Sequence, residues 1–332
     1  MSTILVTGGA GYIGSQIVRR LREERREVLV LDDLSEGHRR AVGDATLVVG
    51  DFGDPAILDR VFSGGRVRFV VHMAASSLVG ESVKDPGKYY TNNVTRSLAL
   101  AGAMRRHGVE GIVFSSTAAV YGEPSSIPIV EEHPQVPTNP YGETKVAFER
   151  ALAWFGRAHG IRHVALRYFN AAGAHPEGDL GEDHEPESHL LPNLLRGLLR
   201  PGAKTPIFGS DYPTQDGTCV RDYVHVSDLA DAHVLALRAL EEHAIEADAF
   251  NLGNGAGFSV REVIDAVERV TGSRPATELA PRREGDPAIL VASSERARRH
   301  LGWEPRRSSI DEIVRTAWRW HRDHPEGFAD RG

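Results

Sequence analysis

The chain has 332 residues, with 39 Lys plus Arg against 46 Asp plus Glu and a formal net charge of −7. That acid excess argues against a nucleic-acid partner, whose footprint would be a basic patch, and no run approaches the roughly 20 apolar residues that a membrane span needs. The length allows a large core in two domains or one domain with an annex, and the lone Cys219 cannot form an internal disulfide.

Residues 3–7, TILVT, are a short apolar run of the kind a buried parallel strand shows. No charged or apolar leader precedes it, so no export signal is expected and the cytoplasm is the expected compartment. The run ends in Gly8-Gly9-Ala10-Gly11-Tyr12-Ile13-Gly14, and a helix with Ile13, Ile17, Val18 and Leu21 on one side follows. Glu27 to Asp32 then reads as a second buried strand closing in an acid. The glycines fit both GxGxxG and GxxGxxG. In either frame they allow a tight turn and a close backbone approach to a pyrophosphate on the helix N-terminus. Asp32 stands where a carboxylate binds an adenosine ribose and repels a 2′-phosphate, although Arg39 and Arg40 lie nearby.

Thr46 to Asp51, Arg68 to Ala74 and Gly111 to Ser116 are further strand candidates, with helical stretches near Pro55 to Phe62 and Pro86 to Arg106. Such alternation predicts an α/β fold, a doubly wound parallel sheet of Rossmann type, with ligands at the carboxyl ends of its strands. Asn139 and Pro140 then open an amphipathic helix that sets Tyr141 and Lys145 one turn apart on one face. A free tyrosine has a pKa of about 10, so a phenolate at neutral pH needs a nearby cation. Only four of the basic residues are lysines, at 84, 88, 145 and 204. A chain that uses arginine almost everywhere has a lysine here, and the two are not interchangeable where one point charge must reach two partners.

Arg162 to Asn170 reads as another strand. Residues 171 to 217, rich in Gly, Pro, Asp and Glu, read as loops over a site. Val220 to Leu240 returns to strand and helix, and Ala249 to Gly253 is one more strand. A capped helix from Ser259, the motif Arg282 to Asp286, a helix near Ser294 to Leu301 and a terminal helix to about His321 complete the chain. His175, Asp179, Asp183, His184 and His189 match no tight ligand spacing, so no metal is expected.

Taken together, VTGGAGYIGS (6–15), HMAASSLVGES (72–82), FSSTAAVYGEP (114–124), NPYGETK (139–145), LRYFNAAGAHP (166–176), DYPTQDGTCVRDYVHV (211–226) and RREGDPAILVA (282–292) closely resemble the extended short-chain dehydrogenase/reductases and, within them, the UDP-glucose 4-epimerases. The resemblance spans essentially the whole chain. It implies an NAD held at Gly8, Gly11, Tyr12, Ile13, Gly14, Asp32, Asp51, Phe52, Ala74 and Asn93, with Tyr141 and Lys145 also touching it. It implies catalysis by Thr117, Tyr141 and Lys145: Tyr141 as base toward the sugar 4-hydroxyl, Thr117 hydrogen-bonding the reacting oxygen, and Lys145 with the positive nicotinamide depressing the tyrosine pKa. Substrate positions would be Ser77, Thr117, Asn170, His189, Leu190, Phe208, Arg221, Arg283, Asp286 and Leu290. Two arginines can clamp a diphosphate and an aspartate can accept from ribose hydroxyls.

Some members carry Lys in place of Ser77 and Asn in place of His189, and Leu290 decides neither for nor against N-acetyl sugars. The alternatives are therefore a 4-epimerase of another UDP-sugar (UDP-N-acetylglucosamine, UDP-glucuronate or a UDP-pentose) and a non-catalytic sugar-nucleotide binder. The expected division is an NAD-binding domain at 1–170 plus about 218–255 and a UDP-sugar-binding domain at 171–217 and 256–332. A homodimer through the helices at about 86–106 and 141–157 is also implied.

Overall fold

In the computed structural model, which describes residues 3–200, 202–283 and 286–330, the first apolar run forms β1 (Thr3–Thr7). It is followed by α1 (Tyr12–Glu23), β2 (Glu27–Asp32), β3 (Thr46–Val49), α2 (Pro55–Phe62) and β4 (Val67–His72). Next come α3 (Val79–Lys84), α4 (Pro86–Tyr89), a π-helical turn at Tyr90–Arg96, α5 (Ser97–Arg106), β5 (Gly111–Thr117), α6 (Pro140–His159) and β6 (Arg162–Tyr168). The second half holds β7 (Asn170–Ala172), α7 (Leu190–Leu199), β8 (Thr205–Phe208), β9 (Val220–His225), α8 (Val226–Glu241) and β10 (Ala247–Leu252). It closes with β11 (Gly257–Ser259), α9 (Val260–Thr271), β12 (Thr277–Ala280), β13 (Ile289–Leu290), α10 (Glu295–Leu301) and α11 (Ile310–Asp323).

Seven strands make one parallel sheet in the order β3-β2-β1-β4-β5-β6-β10. Successive strand side chains point to opposite faces, and both faces of this sheet are apolar. Ile4 and Val6 join α1 and α8 residues such as Leu21, Leu229 and Leu237 in one core. Leu5, with Leu31, Val70 and Ile112, joins Leu100, Met104, Phe148 and Leu152 of α5 and α6 in another. Full burial of such a side chain is worth about 1.5–3 kcal/mol, so the two-sided pattern commits the chain to helices on both faces. The strand order reverses between β1 and β4, which opens a crevice at their carboxyl ends.

Two expectations change. The run Arg162 to Asn170 is not one strand: β6 ends at Tyr168, and β7 leaves the large sheet to pair with β9, Asn170 opposite Tyr223. The stretch 171–217 is not all loop. It contains α7, whose Leu191, Leu194 and Leu195 pack on Val263, Val267, Ile313 and Val314 of α9 and α11 in a third core, and β8, which pairs with β12. The flanking Gly, Pro and acidic residues had masked a short helical period at its centre. Pro201, Glu284, Gly285 and the chain ends at 1–2 and 331–332 lie outside the described residues. Among the described residues, no helix is long and apolar enough to cross a membrane.

Candidate active site

The strand ends meet at a crevice of about 910 Å³. One end is the glycine turn. Gly8 has φ +69°, and a Cβ there would lie 2.6 Å from the backbone nitrogen of Ala74 after β4; a Cβ on Gly14 would lie 2.0 Å from the Gly8 carbonyl oxygen. Only glycine lets β1, α1 and the Ala74 segment approach this closely. Gly11 caps α1 without a side chain, so Gly11, Tyr12, Ile13 and Gly14 present the helix N-terminus to the crevice, where its dipole favours an anion. The Tyr12 hydroxyl is turned away and donates to the Gly173 carbonyl at 2.6 Å.

Asp32 ends β2 on the crevice wall, buried, its two carboxylate oxygens accepting from the Ala10 and Leu34 amides, each at 2.9 Å. Burial raises its pKa, with the two amides opposing. Phe52, Ala74 and the exposed Ser77 also line the crevice. Asp51 and Asn93 do not. β3 stops at Val49, which leaves Asp51 in a loop, where it ion-pairs with Arg96 at 2.9 Å. The Asn93 amide is consumed internally: it accepts from the Ser76 amide at 2.9 Å and donates to the Ser76 carbonyl at 2.9 Å and Thr144 Oγ1 at 3.1 Å. It ties the Ala74–Ser77 segment to α6.

The reactive residues stand across from the glycine turn. Asn139 Oδ1 caps α6 by accepting from the Gly142 amide at 2.9 Å, and Pro140 pre-sets the first turn. This start aims Tyr141 and Lys145 into the crevice, beside Thr117 at the end of β5. Lys145 Nζ is buried, donates to the Ser115 carbonyl at 2.8 Å and lies 5.7 Å from the Tyr141 ring centroid. Burial pushes the Tyr141 phenol up to about 12, and a hydrogen bond with Thr117 pulls it down. Burial pushes Lys145 down to about 7, opposed by the charge of Glu149. Within the chain alone, desolvation of both groups therefore outweighs the depression of the phenol pKa expected from Lys145. Tyr168 shares this wall, its hydroxyl bonded to Ser115 Oγ; nothing in the strand pattern of LRYFN singled it out.

At the other end, Asn170, His189, Leu190, Asp286 and Leu290 line the crevice, whereas Phe208, Arg221 and Arg283 do not. Arg221 is buried in an ion pair with Asp286 and donates to the Val220 carbonyl at 2.8 Å; the Arg283 guanidinium stacks 4.0 Å from the Phe208 ring centroid. Both guanidiniums of the expected diphosphate clamp thus have protein partners. His189 Nδ1 bonds the buried Glu182 carboxylate, whose charge raises the imidazole to about 9. Glu182, His184, Glu187 and His189 bring possible ligand atoms within 4.8 Å of one another, and both imidazoles point Nδ1 at Glu182. Glu182, behind the lining, escaped the sequence reading, and His184, which lines the crevice, entered it only among the histidines and acids weighed as metal ligands.

Known proteins give the same answer along the chain and in space. A UDP-glucose 4-epimerase from Halalkalibacterium halodurans is 54% identical over 326 residues, covering 98% of this chain and 97% of its own. The UDP-glucose 4-epimerase of Brucella ovis, solved in complex with NAD, superposes with a TM-score of 0.93 at 45% identity, over 96% of this chain and 98% of its own. That of Bifidobacterium longum, solved with NAD+ and UDP, gives 0.93 at 37% identity over 98% and 100%. Residues 4–253 match the model of the NAD dependent epimerase/dehydratase family, and the chain belongs to that family.

Proposed function

We infer that the chain is an NAD-dependent 4-epimerase that interconverts UDP-glucose and UDP-galactose through a 4-keto sugar. The observation that carries this is the meeting of Thr117, Tyr141 and Lys145 on the wall of the same crevice that the glycine turn and Asp32 close at its other end. The cradle fits NAD: Gly8, Gly11 and Gly14 leave room for a pyrophosphate at the α1 N-terminus, and the Asp32 carboxylate suits ribose hydroxyls. Arg39 and Arg40 do not line the crevice, and the Arg40 guanidinium donates to the Phe328 carbonyl at 3.0 Å, which supports NAD over its 2′-phosphorylated form.

When bound, NAD supplies the acceptor and later donor of the C4 hydride and, in its oxidised form, a positive ring. Tyr141 takes the proton of the sugar 4-hydroxyl and returns it to the same oxygen after the 4-keto sugar has turned its other face to the cofactor. Thr117 holds the phenol and the reacting oxygen through its hydroxyl. Lys145 contributes positive charge that favours the phenolate over the phenol. His189, Leu190, Asn170, Asp286 and Leu290 form the sugar-nucleotide end, with Arg221, Phe208 and Arg283 behind them. Residues 1–170 with about 218–255 hold the cofactor, and 171–217 with 256–332 hold the UDP-sugar.

We place the enzyme in the cytoplasm on its single cysteine, and as a homodimer through α4, α5 and α6, which expose Leu98 and Trp154. The testing experiment offers UDP-glucose, UDP-N-acetylglucosamine and UDP-glucuronate in parallel to the purified chain without added NAD. UDP-galactose should form; turnover of one of the other two sugars in its place would assign the chain to a 4-epimerase of that sugar. Binding of UDP-glucose without any UDP-galactose would overturn the reading in favour of a non-catalytic binder.

A further inference from the structure

Glu149 belongs to no binding surface of the crevice, yet it stands one turn beyond Lys145 on the same face of α6. Its side chain is only 9% exposed, and its carboxylate is saturated. Arg167 of β6 donates to it through Nε at 3.0 Å and Nη2 at 2.6 Å, Gln135 Nε2 donates at 2.8 Å, and Ser116 Oγ donates from β5. Arg167 Nη1 reaches on to the Tyr121 hydroxyl at 2.9 Å. Ser116 lies between Ser115, whose carbonyl accepts from Lys145, and Thr117. One buried carboxylate is thereby bonded to the strand end that carries Thr117 and rooted in the helix that carries Tyr141 and Lys145.

We propose that Glu149 is a positioning residue for the reaction: the tie that holds the Thr117 strand end against the Tyr141 helix, and the fixed counter-charge that favours the ammonium form of Lys145. The inference rests on the role given to Lys145 under the proposed function. Among the described residues, Glu149 is the one charge that acts on Lys145 against burial. The other groups around the pair do not replace it. His72 on β4 is pushed down to about 3 by burial and by Lys145, and is neutral near pH 7. His163 on β6 is also lowered by burial, Tyr141 and Tyr168 are raised, and Asp248 on β10 is paired with Arg296. Arg167, if left without Glu149, would repel Lys145 further.

Because the chain has four lysines, 13C labelling at lysine Cε gives a spectrum simple enough to titrate each amine, with Lys145 identified by the signal lost in Lys145→Arg. In Glu149→Gln the Lys145 midpoint should fall by about 1 pH unit, as expected on removing an opposite charge one helical turn away, while Lys84, Lys88 and Lys204 stay put. Glu149→Asp, which keeps the charge but withdraws it, should give a smaller fall in the same direction, and it decides the matter if the glutamine variant does not fold. The alkaline limb of kcat should move down in pH with the Lys145 midpoint, with KM for UDP-glucose changed less than about twofold. A Lys145 midpoint unmoved in a folded variant overturns the proposal. The lysine titration needs no turnover, so its failure is distinct from failure of the epimerase reading.

Discussion

Tyr141 must act as a base although its surroundings in the chain favour the neutral phenol. Its phenol stands at about 12, raised by burial, with Thr117 as the one protein group opposing that rise. Tyr141→Phe should therefore bind NAD and UDP-glucose as before while kcat falls by the roughly 10²–10⁴-fold that a positioned base contributes. Near-normal turnover would remove Tyr141 from the base role. Since the phenolate is the working form, Thr117→Ala should move the acid limb of the kcat profile to higher pH, and Thr117→Ser should restore it. His189 makes a separate prediction. Its folded pKa is raised from 6.5 to about 9 by Glu182, so the stability it contributes is fully present below pH 6.5 and is lost as pH rises through 9. His189→Asn should flatten the fall in Tm over that window; an unchanged slope would mean that the imidazolium does not anchor the Glu182 loop.

At the scale of elements, the glycine turn shows how tightly α1 is seated. Gly14→Ala would put a methyl 2.0 Å from the Gly8 carbonyl, against backbone that cannot swing aside. Co-purifying NAD, read from absorbance after denaturation, should drop sharply, and Tm with it; full NAD content would show that α1 can shift at no cost to the cradle. This element was readable in the sequence because its chemistry is local: glycines, helix start and following acid lie within one β-α-β unit. The Tyr141–Lys145 pair was readable for the same reason, since helical periodicity alone puts both on one face. What escaped was non-local. Asn93 looked like a ligand contact, but its amide is spent on Ser76 and Thr144, partners 17 and 51 residues away. Arg221, expected on the substrate diphosphate, is set by β9 in an ion pair with Asp286, 65 residues away. The α7 helix was hidden by its loop-like flanks, because composition averages over a window wider than three turns.

For the whole molecule, the apolar residues left outside the cores argue for a second copy of the chain. Trp154 is 66% exposed in the C-terminal half of α6 and Leu98 39% exposed on α5, while the cores on both sheet faces take up most of the other large apolar side chains. A stable interface covers about 800 Å² per partner, with a few aromatic anchors carrying most of its energy. Trp154, braced by the Arg157 guanidinium 5.1 Å from its ring centroid, suits that role. The wild-type chain should scatter light with twice the 36.3 kDa mass of one chain. Trp154→Arg replaces the exposed aromatic anchor with a charge and should halve that mass at micromolar concentration. Because α6 carries Tyr141 on its opposite end, the monomer should keep its NAD yet lose thermal stability, as an isolated α6 face would then meet water. A monomeric wild-type chain, or a variant that remains fully dimeric, would place the interface elsewhere on the surface.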